Sequence, residues 1–126
     1  MEYVDIDVLI SALEKSWCKE TSYREYRDAW TEENPAAGQC AVTALVVNDY
    51  FGGDILHGKS DLGAEHYWNV VGSVKIDVTK RQFLMNQTFH DTEVIDRDTI
   101  LSSGDVLERY AKLRFRTELM SRAVVI

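Results

Sequence analysis

Apolar residues recur at helical spacing near the start of the chain, where Ile6, Leu9, Ile10, Leu13 and Trp17 fall at i, i+3, i+4, i+7 and i+11. The pattern predicts an amphipathic helix over residues 5–17, with Asp5 placed to cap it. Tyr23, Tyr26 and Trp30 repeat the spacing on a shorter scale and predict a helix or turn over 21–31. Their aromatic face is expected beneath the loop that leads into Cys40. From residue 40 to 51 apolar side chains fall on nearly every side, the mark of a central, buried helix. Asn34-Pro35 reads as the turn before it, because the residue preceding proline is pushed out of the helical region. Gly52-Gly53 reads as its C-terminal stop.

The period then changes from helix to strand. Residues 65–71 and 74–79 are rich in aromatic and β-branched side chains, and Gly72-Ser73 between them is a two-residue hairpin signal with glycine first. Residues 54–58 form a shorter, poorly defined strand candidate. A helical turn is expected over 80–85 and a further strand over 92–95. From Ser103 or Gly104 to Arg122, Val106, Tyr110, Leu113, Thr117, Met120 and Val124 recur at alternating steps of four and three, which predicts a long amphipathic helix. Phe115 and Leu119 lie off its core face. The expectation is a single α+β domain over residues 1–126, with a central helix on a small antiparallel sheet and helices at both ends.

Composition narrows the function classes. The chain has 126 residues, 45% hydrophobic and 28% charged, which suits one domain able to bury most of its apolar surface. A net charge of −7 argues against a general nucleic-acid surface. No apolar run approaches the roughly 18 residues of a membrane span. Asp5 and Asp7 interrupt the first apolar positions, so no secretory signal is expected. Two cysteines, Cys18 and Cys40, are too few for a disulfide framework, and a reduced cytoplasmic setting is the expectation.

Cys40 carries the candidate chemistry. It follows a loop containing Pro35 and Gly38 and opens the apolar helix, where unpaired N–H groups and the positive end of the helix dipole favour thiolate over thiol. With Gly72-Ser73 as the hairpin loop, Val71 faces Val74, Trp68 faces Asp77 and His66 faces Thr79. His66 and Asp77 then share a face as diagonal neighbours, roughly 7–8 Å apart at Cα, a gap that imidazole and carboxylate can bridge. If that face packs toward the start of the Cys40 helix, Cys40 is nucleophile, His66 is base and Asp77 orients the ring. The Cys40 backbone N–H is one oxyanion donor, and the side-chain amides of Gln39 and Asn34 are candidates for the second. Trp68 could line a groove for a peptide or small-molecule substrate, although it reads first as core, as do Trp17 and Trp30. Asn69, on the other side of its strand from His66, reads as a structural anchor.

The order of cysteine at a helix start, histidine on one strand and Asp/Asn on the next resembles the papain-like superfamily. That resemblance implies a papain-like core, and it places an oxyanion-hole amide six residues before the nucleophile, where this chain has Asn34. The strings Trp30-Thr-Glu-Glu-Asn-Pro-Ala-Ala-Gly-Gln-Cys-Ala-Val-Thr-Ala-Leu-Val-Val47, Asp49-Tyr-Phe-Gly-Gly53, His66-Tyr-Trp-Asn69 and Ile76-Asp-Val-Thr79 resemble the small bacterial YunG-like family. This likeness spans roughly residues 17–85; it bears on the fold and leaves the substrate open.

The leading expectation is a cysteine hydrolase or acyltransferase acting on an amide or thioester, without metal or organic cofactor. The alternative is a non-catalytic binding module on the same frame, suggested by the shorter amide at position 34 and by Glu32-Glu33 near the thiol. A zinc site built from Cys40, His57, His66 and Asp77 is a third reading, but it lacks a close ligand pair.

Overall fold

The computed structural model describes residues 5–80 and 88–125, with side chains through residue 121. Four α-helices and four strands make an α+β domain: α1 (Ile6–Ser16), α2 (Cys40–Phe51), β1 (Asp54–Ser60), β2 (Glu65–Val71), β3 (Val74–Ile76), β4 (Phe89–Ile95), α3 (Arg97–Leu101) and α4 (Val106–Val125). Two 3-10 turns, Lys19–Thr21 and Arg24–Ala29, lead from α1 toward the Cys40 loop. Among the described residues no helix is long and apolar enough to cross a membrane.

Helix α1 starts where the sequence indicates, with the Asp5 carboxylate accepting the Asp7 N–H at 2.8 Å. Its Leu9 and Leu13 are fully buried and meet Val42, Leu45, Val46 and Val47 of α2 together with Ile100, Tyr110 and Leu113 in one core. Burying a leucine side chain contributes about 1.5–3 kcal/mol, so the core stands on these few positions. Helix α2 is buried on most sides, as its uniform apolar content requires, and ends at Gly52 and Gly53, both with positive φ.

The sheet is antiparallel throughout, in the order β3-β2-β1-β4. The hairpin register agrees with the sequence parity: Val71 pairs with Val74, Val70 with Lys75 and Asn69 with Ile76. Three expectations change. Strand β1 is a full seven-residue central strand, because β2 and β4 both pair along it. Strand β3 stops at Ile76, so the expected pairs of Asp77 and Thr79 with β2 do not form. Of the three rings expected beneath the Cys40 loop, Trp30 meets it, its Nε1 donating to the Pro35 carbonyl at 3.0 Å, whereas Tyr23 and Tyr26 are 41% and 53% exposed and meet each other edge to face. The helical turn expected over 80–85 lies almost wholly outside the described residues.

Candidate functional site

Cys40 is the first residue of α2 and is half-buried. The segment after α1 fixes the loop that delivers it. Trp17 Nε1 donates to Thr43 Oγ1 at 2.9 Å, tying the end of α1 to the first turn of α2. The Ser22 hydroxyl donates to the Ala37 carbonyl at 2.8 Å, and the Tyr23 N–H donates to the Gly38 carbonyl at 2.8 Å. Gly38 has φ +73°, and a Cβ there would lie 2.4 Å from Ser22 Oγ and 2.9 Å from the Tyr23 nitrogen. Only glycine meets both demands, the left-handed backbone and the close approach.

Strand β2 supplies His66, whose ring is fully buried. Its Nε2 donates to both oxygens of Asp77, at 2.8 and 2.9 Å. Asp77 lies one residue beyond β3, close enough to reach the ring although strand pairing has ended. The Cys40 side chain is a further hydrogen-bond partner of His66. With Nε2 held by the carboxylate, the nitrogen facing the sulfur is Nδ1. Burial pulls the imidazole toward its neutral form, but the hydrogen bonds to Asp77 and Cys40 prevail and raise its pKa to about 9. The ring is therefore a cation at neutral pH.

Aromatic rings enclose this cation. Trp68 stacks on the His66 ring at 5.7 Å between centroids, and Phe89 of β4 stacks at 5.1 Å. Trp68 is only 7% exposed, and Lys75 Nζ lies over its ring at 5.2 Å. Trp68 is therefore core, as the sequence first reads it, and its part in the site is to wall in the imidazole. Gly58 makes room for it, because a Cβ at that position would sit 2.9 Å from the indole.

Gln39 corrects the sequence reading. It is fully buried, and its Nε2 donates to the Cys18 carbonyl at 3.0 Å. Its Oε1 has no partner among the described residues. The amide turns inward as a strut between Cys18 and the helix start, and its N–H is withdrawn from oxyanion duty. Asn34 is half-buried in the turn before the loop, where its carbonyl accepts the Ala37 N–H at 3.2 Å. Asn69 is the expected anchor: its Nδ2 donates to the Ala44 carbonyl of α2 at 2.9 Å.

The Asn69 bond also shows which face of β2 meets α2. Side chains alternate along a strand, so Tyr67 and Asn69 face the helix while His66 and Trp68 face away. His66 nevertheless reaches Cys40 at the helix tip, beside the stretch of β2 that β3 no longer pairs. Tyr67, which the sequence reading passed over, lies at the same level; burial raises its phenol above the ordinary value and nearby Cys40, Glu65 and Glu93 add to this. Phe89 was also missed, because only long-range pairing of β4 with β1 brings it near, and nothing local announces that. His57 packs against Tyr67 and faces Glu65 and Glu93, at 3.5 and 3.8 Å. Among the described residues no three His, Cys, Asp or Glu side chains are grouped to hold a metal ion.

Comparison with known proteins agrees with the family strings. The family model described as YunG protein matches residues 5–121. An Uncharacterized protein YunG from Bacillus subtilis (strain 168) is 34% identical over 102 residues, covering 81% of this chain and 82% of that protein. No solved structure matches. On both the family model and this relative, the chain belongs to the YunG family.

Proposed function

We propose that the protein is a cysteine hydrolase or acyltransferase with a papain-like triad, acting on an amide or thioester carbonyl. The observation that carries this reading is the bipartite setting of His66. One ring nitrogen is held by both oxygens of Asp77, and the other faces a thiol at a helix N-terminus. A structural histidine needs one satisfied partner, whereas a thiol on one side and a carboxylate on the other is the arrangement of an activated nucleophile.

In this reading the proton of Cys40 already resides on His66 Nδ1 before a substrate arrives, and Asp77 stabilises the imidazolium. The sulfur attacks the carbonyl carbon, a C–S bond forms, and the π electron pair moves onto the oxygen. The Cys40 backbone N–H, left without an intrahelical partner, donates to that oxyanion. Collapse expels the amine or thiol, which takes its proton from His66, and leaves a thioester on Cys40. Water or a second acceptor then completes hydrolysis or transfer through the same steps in reverse.

The test is the pH dependence of Cys40 alkylation by iodoacetamide, read by mass spectrometry with Cys18 as internal control. A Cys40 that reacts well at pH values where Cys18 is protected, and loses this advantage in His66→Ala, supports the reading. A Cys40 that titrates like Cys18 sinks it and turns attention to the frame as a binding module.

A further inference from the structure

Backbone register places Tyr67 of β2 level with Cys40 at the start of α2. Asn69 of β2 bonds the Ala44 carbonyl, and the chain at Gly53, just past the end of α2, lies against Val70 and Val71. Strand β2 therefore runs in the same direction as α2. Two residues back along the strand from Asn69 is about 6.6 Å, and four residues back along the helix from Ala44 is about 6 Å. The first step arrives at Tyr67 and the second at Cys40. Alternation directs Tyr67 to the helix-facing side, as it does Asn69, and the ring packs against the core there. The charge interaction between the phenol and Cys40 independently reports their nearness.

The hydroxyl has the right chemistry for that place. Among the described residues no hydrogen bond from the Tyr67 hydroxyl is formed, and the residue is half-buried. Of the two side-chain amides expected as donors, Gln39 spends its own on Cys18. His66 and Tyr67 are consecutive and face opposite ways, so they approach Cys40 from different sides.

We propose that Tyr67 is a catalytic residue of this site, donating its hydroxyl hydrogen bond to the oxygen that becomes negative when Cys40 attacks a carbonyl. The inference rests on the cysteine-nucleophile reading above. It divides the labour of two neighbouring residues: His66 handles the proton of the sulfur, and Tyr67 handles the charge on the oxygen. Attack forms the C–S bond and moves the carbonyl π pair onto that oxygen. As the pair returns, the bond to the leaving group breaks, and the Tyr67 hydrogen bond relaxes without the proton being transferred.

Two reagents separate this role from the role of the thiol itself. Iodoacetamide alkylates sulfur by displacing iodide from a saturated carbon, so no oxyanion forms. 4-Nitrophenyl acetate acylates the same sulfur through a tetrahedral oxyanion, expelling 4-nitrophenolate. Both modifications of the Cys40 peptide are timed by mass spectrometry in wild type and in Tyr67→Phe, with Cys18 as the control thiol. The expected result is acylation slowed about 100-fold in Tyr67→Phe, the usual scale for loss of one oxyanion donor, with alkylation unchanged within about twofold. Equal acylation rates in the two proteins overturn the role of Tyr67 and leave the nucleophile intact. A parallel fall in both reactions also overturns it, assigning Tyr67 to the packing of Cys40. A wild-type Cys40 inert to both reagents overturns the nucleophile reading, and this one with it.

Discussion

Asp77 grips Nε2 of His66 with both carboxylate oxygens, at 2.8 and 2.9 Å, although it lies outside the strand that was expected to carry it. The contact survives the loss of strand pairing because a two-residue hairpin returns the chain at the right spacing. Once β3 has ended, the side chains of Asp77 and His66 complete what the ladder would have done.

The first prediction concerns pH. The imidazole of His66 titrates at about 9 in the folded protein against an ordinary 6.5. Between those values the folded chain holds a proton that the unfolded chain has released, so stability falls as pH rises through this window. The contribution is fully present below pH 6.5 and gone above 9. Urea midpoints measured at pH 6 and pH 9.5 should show it, and His66→Gln should flatten the difference. A wild-type midpoint that does not fall between those pH values contradicts a charged His66.

Asp77→Asn keeps the shape of the partner and removes its charge. A hydrogen bond between charged groups contributes about 1.5–3 kcal/mol, and a loss of that order is expected in urea unfolding. The His66 pKa should drop from about 9 toward its ordinary value, which an NMR titration of the ring protons reads directly. Cys40 alkylation at pH 7 should slow by about tenfold or more as the imidazolium is lost. An unchanged His66 titration would mean that the carboxylate does not set the charge of the ring.

Gly38→Ala tests the loop. The new methyl meets Ser22 Oγ and the Tyr23 nitrogen and sits on a backbone at φ +73°. Strain of this kind costs about 1–3 kcal/mol, and here it acts two residues before the thiol. Both thermal stability and the rate of Cys40 alkylation should fall. Gly63→Ala, where a Cβ meets nothing within 4 Å, is the matched control for positive φ alone.

A fourth prediction addresses the far end of α2. Asp49 is paired with Arg97 at 2.6 Å and Arg114 at 2.8 Å, and it accepts a hydrogen bond from the Tyr110 hydroxyl. Arg97 also donates to the Leu45 carbonyl and to Asn48 Oδ1. Asp49→Asn should destabilise by about 2 kcal/mol, below the figure for a fully buried pair because both arginines are partly exposed. Cys40 alkylation should be unaffected, since the network joins α2 to α3 and α4 and stands at the opposite end of α2.

How much of this can be read from the sequence divides along local and long-range lines. The start of α2 at Cys40, the Asp5 cap and the hairpin register follow from neighbours in the chain, and the structure has all three. Strand β1 was underestimated because His57, Gly58 and Lys59 carry little intrinsic strand preference; the two flanking strands impose the conformation. Gly58 is there to admit the Trp68 ring, a reason visible only after the sheet is assembled. Gln39 was misassigned for a similar reason: adjacency to Cys40 suggested a shared task, but the side chains of residues 39 and 40 diverge as the helix begins. Helix α3 is too short for a periodic signal, although Asp96 caps it by accepting the Asp98 N–H.

The enclosure of His66 by Trp68 and Phe89 has a consequence for proton traffic. The ring has no surface of its own, while the Asp77 side chain is 12% exposed and Cys40 is half-buried. A proton on the imidazole therefore has two exits, one through the carboxylate and one through the sulfur. Capping the sulfur closes the second, and the histidine then communicates with solvent through Asp77 alone. Exchange of the ring N–H protons with bulk water should slow when Cys40 is alkylated, which makes the imidazole a reservoir whose outlet is governed by the state of the thiol.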